Sequence, residues 1–310
     1  MRYDRIIDAI GNTPLVEIAS MSPKKEVRLF AKLEGLNPSG SLKDRIAKYM
    51  IEKAEASGEL KPGKIILEPT SGNTGVSLAM LARPRGYRMI MVMRENVGLE
   101  RKQLLETYGV EMVLTEAAKG TNGAIAVAME MVKDPQYYMP WQYGNPANPQ
   151  AHYETTGREL LEDLPDVNVF IAGMGTGGTV MGVGRRLKEH NSQIKIVGVE
   201  PYRGDPVHGL RSMEDAFLPP ILNLNLLDAR IRVHGRDAIL LSKMLLDKEG
   251  ILAGPSSGAV IFVARRIAER MDRGKIVVLL PDGGWSYLST GLWTQEIAGT
   301  EGVLEGPLAW

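Results

Sequence analysis

The chain has 310 residues, of which 44% are hydrophobic and 24% are charged. This length fits two ordinary domains or one large α/β unit, and the composition is that of a folded globular protein. The 37 basic and 37 acidic residues cancel, which argues against nucleic acid or an anionic membrane surface as a partner. The absence of cysteine excludes disulfides, zinc thiolates and a cysteine nucleophile.

The sequence shows no targeting or metal-binding pattern. Residues 1–11 lack the apolar core of a signal peptide, and no apolar run approaches the length of a membrane span. The four histidines fall at no spacing that is typical of a metal site. We therefore expect a cytoplasmic protein with no metal site and no membrane partner.

Short apolar runs rich in β-branched residues alternate with segments of helical spacing. The runs predict buried strands at 27–33, 65–67, 89–93, 111–114, 169–172, 194–199 and 276–280. The helical segments include 43–57, 74–83, 100–108, 123–132, 156–164 and 179–189. This alternation predicts an α/β fold with parallel-rich sheets flanked by helices. A stretch rich in turn formers at 140–149 separates two such alternating blocks.

A lysine stands where a turn-rich string leads into the first of these helices. The string Asn-Pro-Ser-Gly-Ser-Leu-Lys-Asp-Arg at 37–45 places Lys43 in the first helical turn, and Ser39 or Ser41 can cap the helix. The field of the helix N-terminus disfavours a charged ammonium and so lowers its pKa. An amine that attacks a carbonyl needs a lowered pKa, so Lys43 is a candidate catalytic residue.

Two further strings open helices directly after predicted strands. Glu-Pro-Thr-Ser-Gly-Asn-Thr-Gly at 68–75 surrounds a helix N-terminus with hydroxyls and an amide, which suits a substrate carboxylate. Gly-Met-Gly-Thr-Gly-Gly-Thr at 173–179 lets the backbone approach a phosphate, and its threonines add hydroxyl donors. This glycine loop also fits G-x-G-x-x-G, with Glu200 at the spacing of a ribose-binding acid, so a dinucleotide enzyme is an alternative.

The fourth string, Gly-Pro-Ser-Ser-Gly-Ala at 254–259, enters another helix. A buried hydroxyl on Ser256 can bond a neutral ring nitrogen. By itself, however, this string is better explained by helix capping.

Taken in order, these strings resemble the cysteine synthase family of fold-type II pyridoxal-phosphate enzymes. They are most similar to the cysteine synthase B or O-phosphoserine sulfhydrylase branch. The resemblance runs from Ile-Gly-Asn-Thr-Pro-Leu at 10–15 to Asp-Gly-Gly-Trp-Ser-Tyr-Leu-Ser-Thr at 282–290. It implies a homodimer with a tryptophan synthase β-like fold. The expected domains are a smaller, mobile one at 35–138 and a larger, phosphate-binding one made of 1–34 and 139–310.

The resemblance also implies a role for each string. Lys43 binds pyridoxal 5'-phosphate covalently and acts as the base at the substrate Cα, Asn73 lies beside the 3'-oxygen of the cofactor ring, and Ser256 faces the ring nitrogen. The residues implied to hold the cofactor phosphate are Gly175, Thr176, Gly177, Gly178 and Thr179. Those implied to bind the substrate carboxylate are Thr70, Ser71, Asn73, Thr74 and Gln142.

The implied activity is β-replacement: O-acetylserine or O-phosphoserine reacts with sulfide, thiosulfate or a protein thiocarboxylate to give L-cysteine. Arg211 is expected to pair with an anionic group of a substrate, although a surface arginine without function is an equal alternative. The ending Leu-Glu-Gly-Pro-Leu-Ala-Trp resembles the tail of O-phosphoserine users that take sulfur from a carrier protein. We hypothesise that this tail covers the site during the reaction.

Three alternatives stay open at this stage. The nearest is a cystathionine β-synthase or serine dehydratase-like enzyme of the same fold. The second is an NAD-dependent oxidoreductase, suggested by the glycine loop and Glu200. The third is a binding protein without catalysis.

Overall fold

The computed structural model describes residues 2–70, 72–214 and 217–294. Ser71, which is one of the predicted substrate residues, and the C-terminal segment 295–310 lie outside the described residues. Within the described ranges, no helix combines the length and the apolar character that crossing a membrane requires.

The strands and helices alternate along most of the chain. The strands are β1 (Leu15–Glu17), β2 (Val27–Leu33), β3 (Ile65–Pro69), β4 (Arg88–Arg94), β5 (Glu111–Thr115), β6 (Tyr137–Tyr138), β7 (Val169–Gly173), β8 (Lys195–Pro201), β9 (Ala229–Val233) and β10 (Gly274–Leu280). The helices are α1 (Lys43–Ser57), α2 (Asn73–Ala82), α3 (Leu99–Thr107), α4 (Gly120–Met131), α5 (Ala147–Ala151), α6 (Gly157–Asp163), α7 (Gly178–His190), α8 (Gly235–Glu249) and α9 (Pro255–Ala268).

The strands form two sheets. The large sheet has six strands in the order β1-β2-β10-β7-β8-β9, and the small sheet has four in the order β5-β4-β3-β6. Only the pairing of β1 with β2 is antiparallel among the strands described. The expected α/β fold with parallel-rich sheets is therefore confirmed.

Helices cover both faces of each sheet. On the large sheet, apolar residues of α8 and α9 form a core with one face, and those of α7 with the other. On the small sheet, α1 and α2 pack on one face and α4 on the other. Strands buried on both faces explain why β2, β7 and β10 read as nearly continuous apolar runs. The division into domains at residues 35–138, and the mobility of the smaller one, stay predictions.

Candidate active site

A cavity of about 860 Å³ lies at the carboxyl ends of both sheets. Loops that follow β3, β7 and β10 all contribute to its lining. This is the position where parallel α/β sheets usually bind ligands. Among the predicted site residues, those that line the cavity are Lys43, Thr70, Asn73, Thr74, Gln142, Gly175, Thr176, Gly177, Thr179, Arg211 and Ser256.

Lys43 is the first residue of α1, as the sequence predicts. The turn before it is held against the end of β10, because the Leu42 N–H donates to Pro281 O over 2.9 Å. The Lys43 N–H donates to Ser41 Oγ over 3.3 Å. Burial lowers the pKa of the Lys43 amine to about 8, although the nearby Asp282 carboxylate opposes the shift. Near physiological pH the amine therefore has a much larger neutral fraction than an ordinary lysine, although the ammonium form still predominates.

A buried ion cluster fixes α1 two residues beyond the lysine. Arg45 donates to Glu34 Oε2 over 2.7 Å and to Glu159 Oε1 over 2.6 Å. Lys32 lies 2.9 Å from Glu159 Oε2. All four side chains are almost completely buried. The cluster joins β2, α1 and α6, so the arginine that ends the 37–45 string anchors the helix that presents Lys43.

The loop that follows β3 contacts the segment that follows β6. Thr74 Oγ1 donates to Gln142 Oε1 over 2.7 Å. The backbone N–H groups of Trp141 and Gln142 donate to the two carboxylate oxygens of Glu68 over 2.8 and 3.1 Å. Burial raises the pKa of Glu68 to about 7, against the effect of these N–H donors. Gln142 and Thr74, predicted from separate parts of the sequence, are thus one hydrogen-bonded unit.

The backbone at Trp141 is in the left-handed region, with φ +54°. A bulky residue seldom adopts this conformation, which is found mainly where function requires it. The next residue, Gln142, is the one that accepts the hydrogen bond from Thr74 Oγ1.

The glycine loop opens α7 after β7. Gly177 is the N-cap residue, and a Cβ added at Gly178 would lie 1.8 Å from Asn148 Oδ1. Asn148 is fully buried and donates through Nδ2 to Gln142 O over 2.8 Å and to Thr176 Oγ1 over 3.0 Å. Gly178 therefore lets α7 begin against Asn148, a residue that the sequence analysis missed because it lies in the stretch read as a boundary.

His152 contacts the glycine loop through Thr179. It begins a π-helical turn, His152–Thr156, between α5 and α6, and such turns often occur near functional sites. Its Nε2 lies 3.3 Å from Thr179 Oγ1, and its Nδ1 lies 3.0 Å from Thr156 Oγ1. Burial, aided by the positive charge of Lys43, lowers the pKa of His152 to about 3. The ring is therefore neutral and positions Thr179.

Ser256 lies in the first turn of α9, directly after Pro255. Its side chain is 1% exposed, and its Oγ has no hydrogen-bond partner among the described residues. Because a buried polar group without a partner is uncommon and destabilising, this hydroxyl fits a ligand atom in the cavity.

Arg211 extends across the cavity. Its Nη2 donates to Asn122 Oδ1 over 2.9 Å, and its Cζ lies 5.0 Å from the centre of the Phe217 ring. Asn122 belongs to α4, beside the small sheet, whereas Arg211 follows β8 of the large sheet. The contact thus joins opposite walls of the cavity.

The cavity is strongly basic although the chain as a whole is neutral. The basic side chains that line it are Lys43, Arg94, Arg101, Lys119, Arg203 and Arg211. In the part of the chain that the structure describes, Asp282 is the one acidic residue in this lining. Such a cavity favours ligands with several negative charges.

Comparison with known proteins identifies the family. The model of a protein family described as "Pyridoxal-phosphate dependent enzyme" matches residues 6–282. A cysteine synthase of Staphylococcus aureus is 43% identical over 301 residues, which cover 94% of this chain and 97% of that protein. The chain belongs to the cysteine synthase family of pyridoxal-phosphate-dependent enzymes.

Solved structures of the cysteine synthase family share the fold. A cysteine synthase from Entamoeba histolytica has a TM-score of 0.90 and 35% identity, with 98% of this chain and 95% of that chain covered. An O-ureido-L-serine synthase has a TM-score of 0.91 and 36% identity, with 97% and 98% covered. The predicted family, fold and cofactor are confirmed, whereas the cysteine synthase B branch stays a prediction.

The residues of this chain fit the family cofactor. The unpartnered hydroxyl of Ser256 suits the ring nitrogen, and the glycine loop at the N-terminus of α7 suits the phosphate. The alternative of a dinucleotide enzyme required Glu200 to bind a ribose, and the structure contradicts this role. Glu200 is 1% exposed, lies 2.9 Å from Arg230 Nε and also accepts from the Met213 N–H, so it is not available to a ribose.

Proposed function

We propose that this enzyme makes L-cysteine by replacing the β-substituent of an activated serine with sulfur. One observation carries the proposal. The amine of Lys43, with a pKa of about 8, lines the same cavity as Thr70, residues 72–74 and the glycine loop. A base, a carboxylate-binding loop and a phosphate-binding loop together are what a pyridoxal-phosphate β-replacement requires.

Lys43 has two tasks in this proposal. Pyridoxal phosphate, when bound, supplies an electron sink that makes the α-proton of the amino acid acidic. Lys43 removes that proton from Cα and returns it after sulfur has been added. An amine with a pKa of about 8 can do both near neutral pH, because neither of its protonation states is rare there.

The remaining residues bind and orient. Backbone N–H groups at the start of α2, with Thr70, Asn73 and Thr74, hold the substrate carboxylate. The Thr74 bond to Gln142 keeps both side chains in place. Ser71, outside the described residues, is assigned to this group from the sequence alone. Gly175, Thr176, Gly177, Gly178 and Thr179 hold the phosphate.

We further propose O-phosphoserine as the preferred activated serine. The loop at 175–179, assigned to the cofactor phosphate, has no basic side chain, whereas four arginines line the cavity outside this loop. Arg211 lies in the wall and presents a guanidinium, which pairs well with a phosphate. The basic cavity also supports an anionic sulfur donor, such as a carrier-protein thiocarboxylate. A homodimer and a mobile domain at 35–138 complete the proposal and rest on the resemblance.

Two measurements test this function. The purified holoprotein is reduced with borohydride and digested, and we expect the cofactor to be attached at Lys43. The holoprotein is then given sulfide with either O-phosphoserine or O-acetylserine, and cysteine is measured. We expect cysteine from both, at a higher kcat/KM with O-phosphoserine. Pyruvate without cysteine would instead indicate a dehydratase, and modification elsewhere than Lys43 would contradict the site.

A further inference from the structure

A buried carboxylate joins the ends of the two sheets beside Lys43. Asp282 follows β10 of the large sheet, and Asn73 opens α2 beside the small sheet. Asn73 Nδ2 donates to Asp282 Oδ2 over 2.7 Å, and Tyr287 Oη donates to the same oxygen over 2.6 Å. Asp282 and Tyr287 are 2% and 3% exposed. Water therefore does not compete strongly for these bonds.

The chemistry of a carboxylate determines how the Asn73 amide is turned. An ionised carboxylate only accepts hydrogen bonds, whereas an amide group has one side that donates and one that accepts. Asn73 must present its NH2 group to Asp282, which fixes its carbonyl oxygen in the opposite direction. An asparagine beside a neutral amide could adopt either orientation.

We propose that Asp282 is a positioning residue that fixes the orientation of the Asn73 amide, so that the second N–H of Asn73 is offered to the cofactor. The inference rests on the proposed function in one respect, namely that Asn73 contacts the cofactor. Asp282 itself acts through Asn73. The same bond holds the end of β10 to the start of α2.

The surroundings of Asp282 allow an isosteric test. Its Oδ1 packs so closely that a Cβ added at Gly254 would lie 2.2 Å away, which leaves no room for a larger side chain. That oxygen has no hydrogen-bond partner among the described residues. Asparagine has the same shape as aspartate, but its side chain can donate as well as accept hydrogen bonds. Asp282→Asn therefore no longer fixes the orientation of the Asn73 amide, and it creates no cavity.

Charged and titratable groups around Asp282 decide when it is ionised. Burial raises its pKa, whereas the bonds from Tyr287 and Asn73 and the positive charges of Arg101 and Lys43 lower it. His208 also interacts with the carboxylate. As the pH falls, Asp282 gains a proton, ceases to be an acceptor only, and no longer fixes the amide.

The experiment is a double-mutant cycle on the holoenzyme, read by its visible absorbance spectrum and by the rate of cofactor loss on dialysis. Asp282→Asn is expected to shift the visible band and to accelerate cofactor loss about tenfold, as the loss of a hydrogen bond to a charged group predicts. In an Asn73→Ala background, Asp282→Asn should have a much smaller effect on both quantities, because only its direct electrostatic effect on Lys43 remains. Additive effects, or a lowered Tm with an unchanged spectrum, would overturn the inference.

Tyr287→Phe keeps the inference testable if Asp282→Asn does not fold. Removing the phenol takes one donor from Asp282 Oδ2, so the carboxyl should protonate at a higher pH. The pH midpoint of the spectral change should therefore rise, and an unchanged midpoint would contradict the assignment.

Ser289→Ala is the matched control. Ser289 donates to Glu100 Oε2 over 2.8 Å and so also joins the segment after β10 to the small-sheet side, but on the exposed surface. The visible absorbance spectrum of the Ser289→Ala variant should equal that of the wild type. A wild-type protein without a visible cofactor band would refute the proposed function, whereas a normal band that Asp282→Asn leaves unchanged would refute only this inference.

Discussion

The guanidinium of Arg45 lies 2.6 Å from the carboxylate of Glu159, and both side chains are shielded from solvent. Removing the charge of one partner leaves the other buried and uncompensated. We expect Glu159→Gln to lower the free energy of unfolding by about 3–5 kcal/mol in a denaturant titration. Glu162→Gln, in the exposed pair with Arg158 on the same helix, should cost no more than about 1 kcal/mol.

The carboxylate of Glu159 also determines how the free energy of unfolding depends on pH. Burial raises the pKa of Glu159, but Arg45 and Lys32 outweigh it and bring the pKa to about 2. Between the ordinary value of 4.5 and about 2, the unfolded chain binds more protons than the folded one. The stabilisation is therefore complete above pH 4.5 and is lost as the pH falls towards 2. Glu159→Gln should flatten the stability curve in that window, and an unchanged slope would contradict this view.

The Lys43 amine should titrate well below an ordinary lysine. Because only the neutral amine attacks a carbonyl, the rate at which the apoenzyme takes up pyridoxal phosphate should rise with pH through a midpoint of about 8. Asp282→Asn should lower this midpoint, since Asp282 stabilises the ammonium form. Stopped-flow absorbance measures the rate. A midpoint near 10.5, the ordinary value, would show that burial does not lower the pKa of the Lys43 amine.

Gly178→Ala should weaken cofactor binding. The added methyl would lie 1.8 Å from Asn148 Oδ1, so α7 or Asn148 must move, and such overpacking typically costs about 1–3 kcal/mol. We expect an increased dissociation constant for pyridoxal phosphate by fluorescence titration. The Gly178→Ala/Asn148→Ala double variant should regain part of the affinity. Gly98→Ala is the control, because the backbone of Gly98 is not left-handed and an added Cβ would lie at an ordinary 3.5 Å from Glu100 Oε2.

Arg211→Ala should distinguish between the two activated serines. If its guanidinium pairs with the phosphate of the substrate, kcat/KM should fall about 10- to 100-fold more with O-phosphoserine than with O-acetylserine. Arg203→Ala changes an exposed arginine of the same cavity and should affect both substrates equally. Equal losses for Arg211→Ala would contradict its assignment to the phosphate.

The sequence predicts the central strands well and the short edge elements poorly. The predicted run at 27–33 coincides with β2, because a strand buried on both faces is mostly apolar, here interrupted only by Arg28 and Lys32. Strands β1, β6 and β9 were not predicted. The first two have only three and two residues, and β9 is an edge strand in which Arg230 and Arg232 face outwards. β1 and β6 are too short to show a pattern, whereas β9 alternates apolar and charged residues as a half-buried strand does and differs from the apolar runs at the centre of the sheet.

The candidate site was predictable where a motif stands at the end of a strand. Lys43, Asn73 and the glycine loop reach one cavity because the carboxyl ends of parallel strands meet there. The supporting residues Asn148 and Asp282 were not assigned a role. Asp282 bonds with Asn73 across 209 positions of the chain, and only the folded arrangement brings such residues together.

The pairing of β2 with β10 has a consequence for how the protein is made. β2 is among the first strands to leave the ribosome, yet its parallel partner ends at Leu280. A nascent chain therefore exposes the edge of β2 unpaired until β10 has been made, a situation that invites aggregation. Ser256 and Asp282 also follow β2 by more than two hundred residues, so a nascent fragment that stops before them lacks part of the site that would hold the cofactor.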